Sequence, residues 1–484
     1  MSIRSVNPRT GEEFGPIFES ATKREIDAII DGAVTSYSLW SRTTPKERAR
    51  ILNFLAESID ANLDVLVAIA DLETGLGVGR LTGEVSRTTF QIRTFANALA
   101  RGEFVGSRLD AAVDAPLPEG HPKLLRTARA IGPVAIFGAS NFPFAFSVLG
   151  GDTASALAAG CSVLIKAHPA HPQTSQLTFD IAKRALSDAG APANLIGLGH
   201  GFEFGSFVIT DSRIAAGAFT GSRAGGRALF DLAQSRQIPI PFYGELGSVN
   251  PVVATASGIS DRALFAGSYL DSLLLGNGQF CTNPSLLFVP DDESLLADVK
   301  SQLSHREAQP FLSEATKKLH DANRQKLAQS LGSTDYLGKN GEGLGFYSRA
   351  EVFVIPASVA IKYPEILHIE CFGPTGIVTT YSSIEEVKET LSTLEGALVG
   401  SLFSSVDDES NVEIASALAS MCGRVAFNAW PTGVAVTDGQ HHGGPYPAST
   451  SPLHTSVGIN AITRFLRPIT FQGFPDEMAS KLGI

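Results

Sequence analysis

The sequence predicts an α/β protein with a Rossmann-type parallel sheet, a second α/β domain and a small terminal segment. Two observations carry this. From Ile131 onward, short apolar runs (VAIFGAS, CSVLIKA, LIGLGHG, IAAGAFTGS) alternate with helical stretches, the pattern of right-handed βαβ units. After the turn-rich IPIPFYGELGSVNPVV the alternation resumes, as a second sheet requires.

The elements follow in order. Thr22 precedes an apolar-periodic run through Ile26, Ile29, Ile30 and Ala33, and Pro45 opens another through Ile51, Leu55 and Ile59, so residues 22–70 read as helices and 84–101 continue them. Beyond the small-residue stretch 147–159, helices are expected over about 174–189, near Phe202, and from the glycines at 221–226 to about Ser235. The second domain should carry helices near 262–275 and 292–303 and strands near 285–289 and 397–404. The tail ITRFLRPITFQ is extended and too short for a domain; it is suited to pair with another sheet edge, for instance a neighbouring subunit's.

With 484 residues, 44% of them hydrophobic and 18% charged, the chain can bury a large core without disulfides or metals. A net charge of −11 with no basic run of five argues against nucleic acid. The start, MSIRSVNPRTGEEF, is not a signal peptide, and the most apolar stretch, 134–150, is broken by Ser140, Asn141 and Pro143, so no membrane partner or span is expected. Cys161, Cys281, Cys371 and Cys422 lie far apart with no CxxC pair, which suits a reducing, cytoplasmic compartment.

Several short stretches can carry chemistry. FTGSRAGGR sets Gly221, Ser222 and Gly226 at a strand-to-helix junction, which is either an anion site or a plain tight turn. Lys166 ends the strand CSVLIKA, where it can hold a ribose or phosphate or simply be solvated. His168 and His171 of HPAHP are three apart, but Pro169 and Pro172 break the helix that would align them, and no metal site is expected. Glu245, in the Gly-bounded turn of GELGSVNP, is either a solvated residue or a general base with a raised pKa. Cys281, in GNGQFCTNPS, is either a buried structural thiol or a nucleophile activated by a nearby cation or helix end. Asn141, in GASNFPFAF, is an oxyanion donor or a helix cap.

The order SNFPF, strand-end Lys166, FTGSxxxG, GELGxxNP, GQxC and ECFGP resembles the aldehyde dehydrogenase superfamily over essentially the whole length. The resemblance implies that Cys281 attacks the aldehyde, that Asn141 and the Cys281 amide hold the oxyanion, and that Glu245 activates water to clear a thioester. It implies that Lys166 and Ser222 contact the adenosine ribose and phosphates of NAD or NADP, and that Glu370 and Phe372 hold the nicotinamide side. Where many NAD-preferring members carry a ribose-binding glutamate, Pro169 stands here, and His168 or Arg223 can attract a 2′-phosphate, so NADP is the preferred expectation. ELGSVNP lacks the lysine of ELGGK, and HGGPYPAST replaces the FGG motif.

KAHPAHP, GQFCTNP and FNAWPTGV resemble the branch of 2,5-dioxopentanoate (α-ketoglutarate semialdehyde) dehydrogenases and NADP-dependent bacterial fatty-aldehyde dehydrogenases. The first activity is preferred, with a fatty aldehyde or another semialdehyde as alternatives. Arg80, Glu84, Arg87 and Gln91 share one helix face, where Arg87 can clamp a substrate carboxylate or merely belong to a solvated salt-bridged face. Phe142, Phe146, Phe280 and Thr282 are expected to wall the tunnel. The implied organisation is a dinucleotide-binding domain at 1–102 and 132–243, a catalytic domain at 244–440, and bridging or oligomerisation segments at 103–131 and 463–484. A homodimer or homotetramer is expected.

Overall fold

A computed structural model describes residues 2–102, 107–247 and 249–481. Residues 103–106 of the expected bridging segment, Ser248 of ELGSVNP, and residues 482–484 lie outside the described residues. Two parallel sheets organise the chain. The first orders its strands Ile196–Gly199, Val163–Lys166, Val134–Phe137, Ala216–Thr220 and Phe242–Glu245, all parallel. Because the chain leaves the central strand Val134–Phe137 in one direction and later returns on its other side, the carboxyl ends there form a switch-point crevice.

The second sheet has the order Tyr336–Asn340, Arg349–Pro356, Thr375–Tyr381, Leu286–Pro290, Pro251–Ala254, Ala397–Phe403 and Cys422–Phe427. Only its first pair is antiparallel. Its inner strands are near-continuous apolar runs, as burial on both faces demands. Among the described residues no helix is long and apolar enough to cross a membrane.

The tail finds its sheet edge within its own chain. Leu466–Gln472 pairs antiparallel with Leu124–Ala130, register Leu466↔Ala130 to Gln472↔Leu124, and Arg108–Asp110 completes three strands. At the other end, Ser2–Val6 and Glu13–Glu19 form an antiparallel hairpin that the sequence reading did not anticipate. Glu245 also departs from expectation: it ends the strand Phe242–Glu245 rather than sitting in a turn.

The helices Lys23–Trp40 and Pro45–Asp60 start at signals visible in the sequence; Leu63–Thr74 and Val78–Arg101 have no side-chain cap, and the last begins ahead of the expected residue 84. Thr22 forms a full capping box with Glu25, and Thr44 caps a helix with Pro45 in its first turn. Pro45–Asp60 and Val78–Arg101 pack on Gly151–Ala159, a wholly buried helix of small residues, and Trp40 of the first helix reaches it. The last carbonyls of that helix lie beyond its regular ladder, and side chains of the packed helices add to the cap bond from Gly160 N to Leu157 O. Trp40 Nε1 donates to Leu157 O at 2.9 Å and Arg48 Nε to Ala158 O at 3.1 Å. Trp40→Phe, which keeps an aromatic ring but leaves the Leu157 carbonyl with only its bond from Gly160 N, should destabilise by about 0.5–1.5 kcal/mol. Trp40→Ala, which adds a cavity, should destabilise by about 3–5 kcal/mol. Denaturant midpoints of the two variants check the order; a Trp40→Phe midpoint equal to that of the unaltered protein would mean the hydrogen bond contributes nothing.

Candidate active site

Cys281 follows a three-residue left-handed run. Gly276, Asn277 and Gly278 have φ of 56°, 59° and 70°, a region that favours glycine and tolerates asparagine. A Cβ on Gly278 would run into the Gly373 carbonyl, so the backbone of ECFGP lies directly against the nucleophile loop. The loop is pinned by carboxamides: Asn250 Nδ2 donates to Cys281 O at 2.8 Å and Asn283 Nδ2 to Leu273 O at 2.8 Å. Asn141 Nδ2 donates to Gln279 O at 2.9 Å, so this amide faces the cysteine loop and not the following helix, which has no side-chain cap.

Glu245 is buried and stands beside Cys281, and both meet a residue absent from the sequence-based site. His442 Nε2 lies 2.9 Å from Glu245 Oε1 and 3.8 Å from Cys281 Sγ. Ser456 Oγ donates to Glu245 Oε2 at 2.9 Å, and His442 N donates to Thr455 Oγ1 at 2.9 Å. These residues arrive on the segment after the second sheet, which folds back on the first. Leu246 N donates to Ala448 O at 2.8 Å and Thr450 N to Gly244 O at 2.9 Å. The available signal was HGG standing where the resemblance expects FGG.

Both expected ionisation states are corrected. Burial pushes the Glu245 carboxyl up, but the adjacent His442, the Ser456 hydroxyl and the Cys281 thiol outweigh it and hold it below its usual value. Burial, and then the Glu245 charge, push the Cys281 thiol well up, with Arg87 opposing only in part. The resting site therefore holds a carboxylate and a thiol in contact with each other, with the His442 imidazole beside both. Cys, His and Glu also have the make-up of a metal triad, since their ligand atoms lie within 4.8 Å of one another.

At the carboxyl ends of the first sheet, Lys166 is mostly buried, and burial alone lowers its pKa to about 8. Among the described residues its amine has no hydrogen-bond partner. His168 stacks on His171 with ring centroids 5.4 Å apart. Its Nδ1 accepts from Ala170 N at 3.1 Å, which leaves the proton of the neutral ring on Nε2. Burial, His171 and Lys166 lower the His168 pKa, so this residue offers a neutral donor and not a cation. His171 spends its two ring nitrogens on Ser175 Oγ and Ala139 O, a structural use. Pro169 is exposed.

Ser222 caps the helix Arg223–Gln234, its Oγ accepting from Gly225 N at 3.3 Å. A Cβ at Gly226 would strike Leu246 and Phe219, so this glycine lets the helix close on the strand that carries Glu245. Gly221 N donates to Glu245 O at 3.1 Å. Arg223 is not available to a 2′-phosphate as expected: it is bidentate to Glu395 at 2.5 and 3.0 Å and lies over Tyr446. Glu370 shares a cleft with Arg223, Gly247, His368 and Glu395, and its charge reaches Cys281. Phe372 is half-buried in the loop against Gly278.

The expected tunnel residues come together in part. Phe142 meets Phe146 and Phe280 edge-on, at 5.4 and 5.2 Å. Arg87 lies over Phe146 at 5.2 Å, and its charge reaches both Cys281 and Glu245. The helix face is buried, not solvated: Glu84 accepts from Phe144 N and Ala145 N at 2.8 and 3.0 Å. Thr282 is buried beside Cys281.

Comparison with known proteins agrees with this geometry. The aldehyde dehydrogenase family profile matches residues 1–467. An alpha-ketoglutaric semialdehyde dehydrogenase 2 of Azospirillum brasilense is 37% identical over 99% of this chain and 92% of its own length. An alpha-ketoglutaric semialdehyde dehydrogenase of Acinetobacter baylyi is 36% identical over 97% and 90%. Among solved structures, a betaine aldehyde dehydrogenase from Staphylococcus aureus in complex with NAD+ superposes with a TM-score of 0.83 at 19% identity, covering 98% of this chain and 94% of that one. A Thermus 1-pyrroline-5-carboxylate dehydrogenase with bound NAD gives 0.81 at 21% identity, covering 97% and 90%. Two parallel sheets, a cysteine and a glutamate brought together at their junction, and a profile match over nearly the whole length lead to one conclusion: the chain belongs to the aldehyde dehydrogenase family.

Proposed function

We propose that this NAD(P)-dependent aldehyde dehydrogenase oxidises 2,5-dioxopentanoate to 2-oxoglutarate through a thioester on Cys281. The observation that carries the chemistry is the convergence of Cys281, His442 and Glu245. His442 takes the thiol proton as Sγ adds to the aldehyde carbon, the Glu245 charge stabilising the imidazolium, and releases it to solvent before the second step. The Asn141 carboxamide, with one N–H held by Gln279 O, turns its other toward the oxygen that gains charge. The bound nicotinamide supplies the hydride acceptor. Glu245, charged and fixed by Ser456, then draws a proton from water as that water attacks the thioester. The cluster works in this reading without a metal ion.

Lys166, with its unpartnered amine, and the helix end at Ser222 fit the ribose and phosphates of a dinucleotide. NADP is the preferred cofactor in our reading, since Pro169 offers no carboxylate to repel a 2′-phosphate while Lys166 and the His168 Nε2 proton can meet one. The sequence-based organisation is retained as a proposal: cofactor binding on 1–102 and 132–243, catalysis from 244–440, and dimers or tetramers through 103–131 and 463–484 in the cytoplasm. Glu245 then stands on the last strand of the cofactor sheet, two residues past that boundary.

The two named relatives support the substrate, as does Arg87. A long apolar chain is disfavoured because guanidinium groups cover the rings that would line its path. In a panel of 2,5-dioxopentanoate, succinate semialdehyde, glutaraldehyde and decanal, the first should have the highest kcat/KM. Arg87→Ala should lower it about ten- to a hundredfold more than it lowers decanal; equal losses would remove Arg87 from carboxylate recognition.

Cys281→Ala should abolish turnover, and Glu245→Gln should give a burst of one reduced nicotinamide per site and then stall. Steady turnover by either variant, or activity lost to EDTA and restored by zinc, would overturn this mechanism. Because the thiol is pushed up, iodoacetamide alkylation of the cofactor-free enzyme should rise with pH and inflect above the ordinary thiol value of about 8.5. A plateau already reached by neutral pH would show a thiolate at rest. Lys166 loses its proton as pH rises through about 8, and a bound anion favours the protonated amine. NADP affinity should therefore fall relative to NAD on going from pH 7 to pH 9; a constant ratio would separate Lys166 from the 2′-phosphate.

A further inference from the structure

Arg80 received no role from the sequence, yet it is the residue most closely built into the aromatic wall beside Cys281. Its Cζ stands 5.1 Å from the Phe142 ring centroid and 4.8 Å from that of Phe280. One arm is used: Nη2 donates to Asn141 O at 2.7 Å. The other, Nη1, is buried with no hydrogen-bond partner, and Nη1 of Arg87 is in the same state. The loop before the nucleophile is shaped around this group. A Cβ on Gly276 would stand 2.9 Å from Arg80 Nη1 and 2.7 Å from Phe280 Cε2.

The charge balance around the two arginines is incomplete. Glu84, one turn from each on the same helix, uses Oε1 on the amides of Phe144 and Ala145, while its Oε2 has no hydrogen-bond partner. Neither guanidinium has a carboxylate within 4.0 Å among the described residues. Burial pushes both arginines down and Glu84 up, so this cluster is desolvated without being fully paired. Two buried, unpartnered N–H groups on rigid aromatic faces form a receptor that lacks its acceptors.

We propose that Arg80 is a second substrate-binding guanidinium, which with Arg87 reads the 2-oxo acid end of the aldehyde and not just its carboxylate. A 2-oxo acid presents two carboxylate oxygens and a keto oxygen close together. Arg87 takes the carboxylate, and the free Nη1 of Arg80 takes the remaining acceptor. A saturated semialdehyde of the same length has no oxygen at that position, and a site built to donate a hydrogen bond discriminates against the analogue that cannot accept it.

This rests on the substrate reading above, and the test separates the two. We would measure kcat/KM of the enzyme, of Arg80→Met and of Arg80→Lys with 2,5-dioxopentanoate, 5-oxopentanoate and pentanal. The unaltered enzyme should prefer them in that order. Arg80→Met, which keeps an unbranched stem on the rings, should lower the ratio of 2,5-dioxopentanoate to 5-oxopentanoate about ten- to a hundredfold, mainly through KM. Arg80→Lys should restore part of the ratio. An unchanged ratio, or equal losses on all three aldehydes as expected if Arg80 only holds Asn141, would overturn the inference. If the unaltered enzyme prefers 5-oxopentanoate to pentanal but not 2,5-dioxopentanoate to 5-oxopentanoate, only this inference falls. If it fails to prefer 5-oxopentanoate to pentanal, the carboxylate reading falls with it.

Discussion

A charged carboxylate buried beside a thiol is the constraint on which the rest of the site depends. Glu245 is only 5% exposed, and an ionised group at that depth requires partners. They come from far along the chain: His442 and Ser456 sit on a segment that must fold back across the end of the first sheet to reach it. The same backbone hydrogen bonds that hold this segment to Gly244 and Leu246 thus set the ionisation of the site. Removing the imidazole would leave a buried charge facing a thiol, which is unfavourable for fold and chemistry alike.

The nucleophile loop answers a second demand, that the sulfur be held still without a helix or strand to hold it. Three consecutive left-handed residues are tolerable only where the surroundings over-determine them. Here the Asn250, Asn283 and Asn141 carboxamides fasten the loop from three sides, and the Gly373 carbonyl blocks it from a fourth. The loop bearing Glu370 and Phe372 therefore lies packed against the loop bearing Cys281. Positional precision of this kind is what an attack geometry needs.

Much of this was legible in the residues, and the rest was hidden for identifiable reasons. The alternation after Ile131 exposed the parallel sheets because strands buried on both faces are near-continuous apolar runs. The N-terminal hairpin stayed hidden because most of its residues are exposed and its strands carry little apolar alternation. Cys281, Glu245 and Asn141 stood out through motif order, and the fold does gather them. His442 was given no role, although HGG stood out against FGG, because its significance lies in a contact across 161 residues to Cys281. Arg223 was misjudged for a similar reason, since its partner Glu395 lies 172 residues away. The direction of the Cys281 shift could not be read from its polar neighbours in sequence, because it comes from burial and from the Glu245 charge, brought together only by the fold.

The helix Val78–Arg101 completes the argument, because its buried face breaks the rule that interior polar groups are satisfied. Arg80 Nη1, Glu84 Oε2, Arg87 Nη1 and Gln91 Nε2 all lie on that one face, buried and without hydrogen-bond partners. A face selected for stability alone would be apolar here, as Leu81, Val85 and Ile92 are on the same helix. The two orphaned guanidinium groups in the wall beside the nucleophile are better explained as donors kept free for something that arrives. The phenyl rings under the guanidiniums favour the cations by cation–π attraction while excluding water from them. Exclusion of water strengthens the pull of each remaining N–H on an incoming anion. The same rings that would have lined a path for a fatty chain thus become the supports of an anion receptor, and the charge of the substrate decides which of those two uses the wall serves.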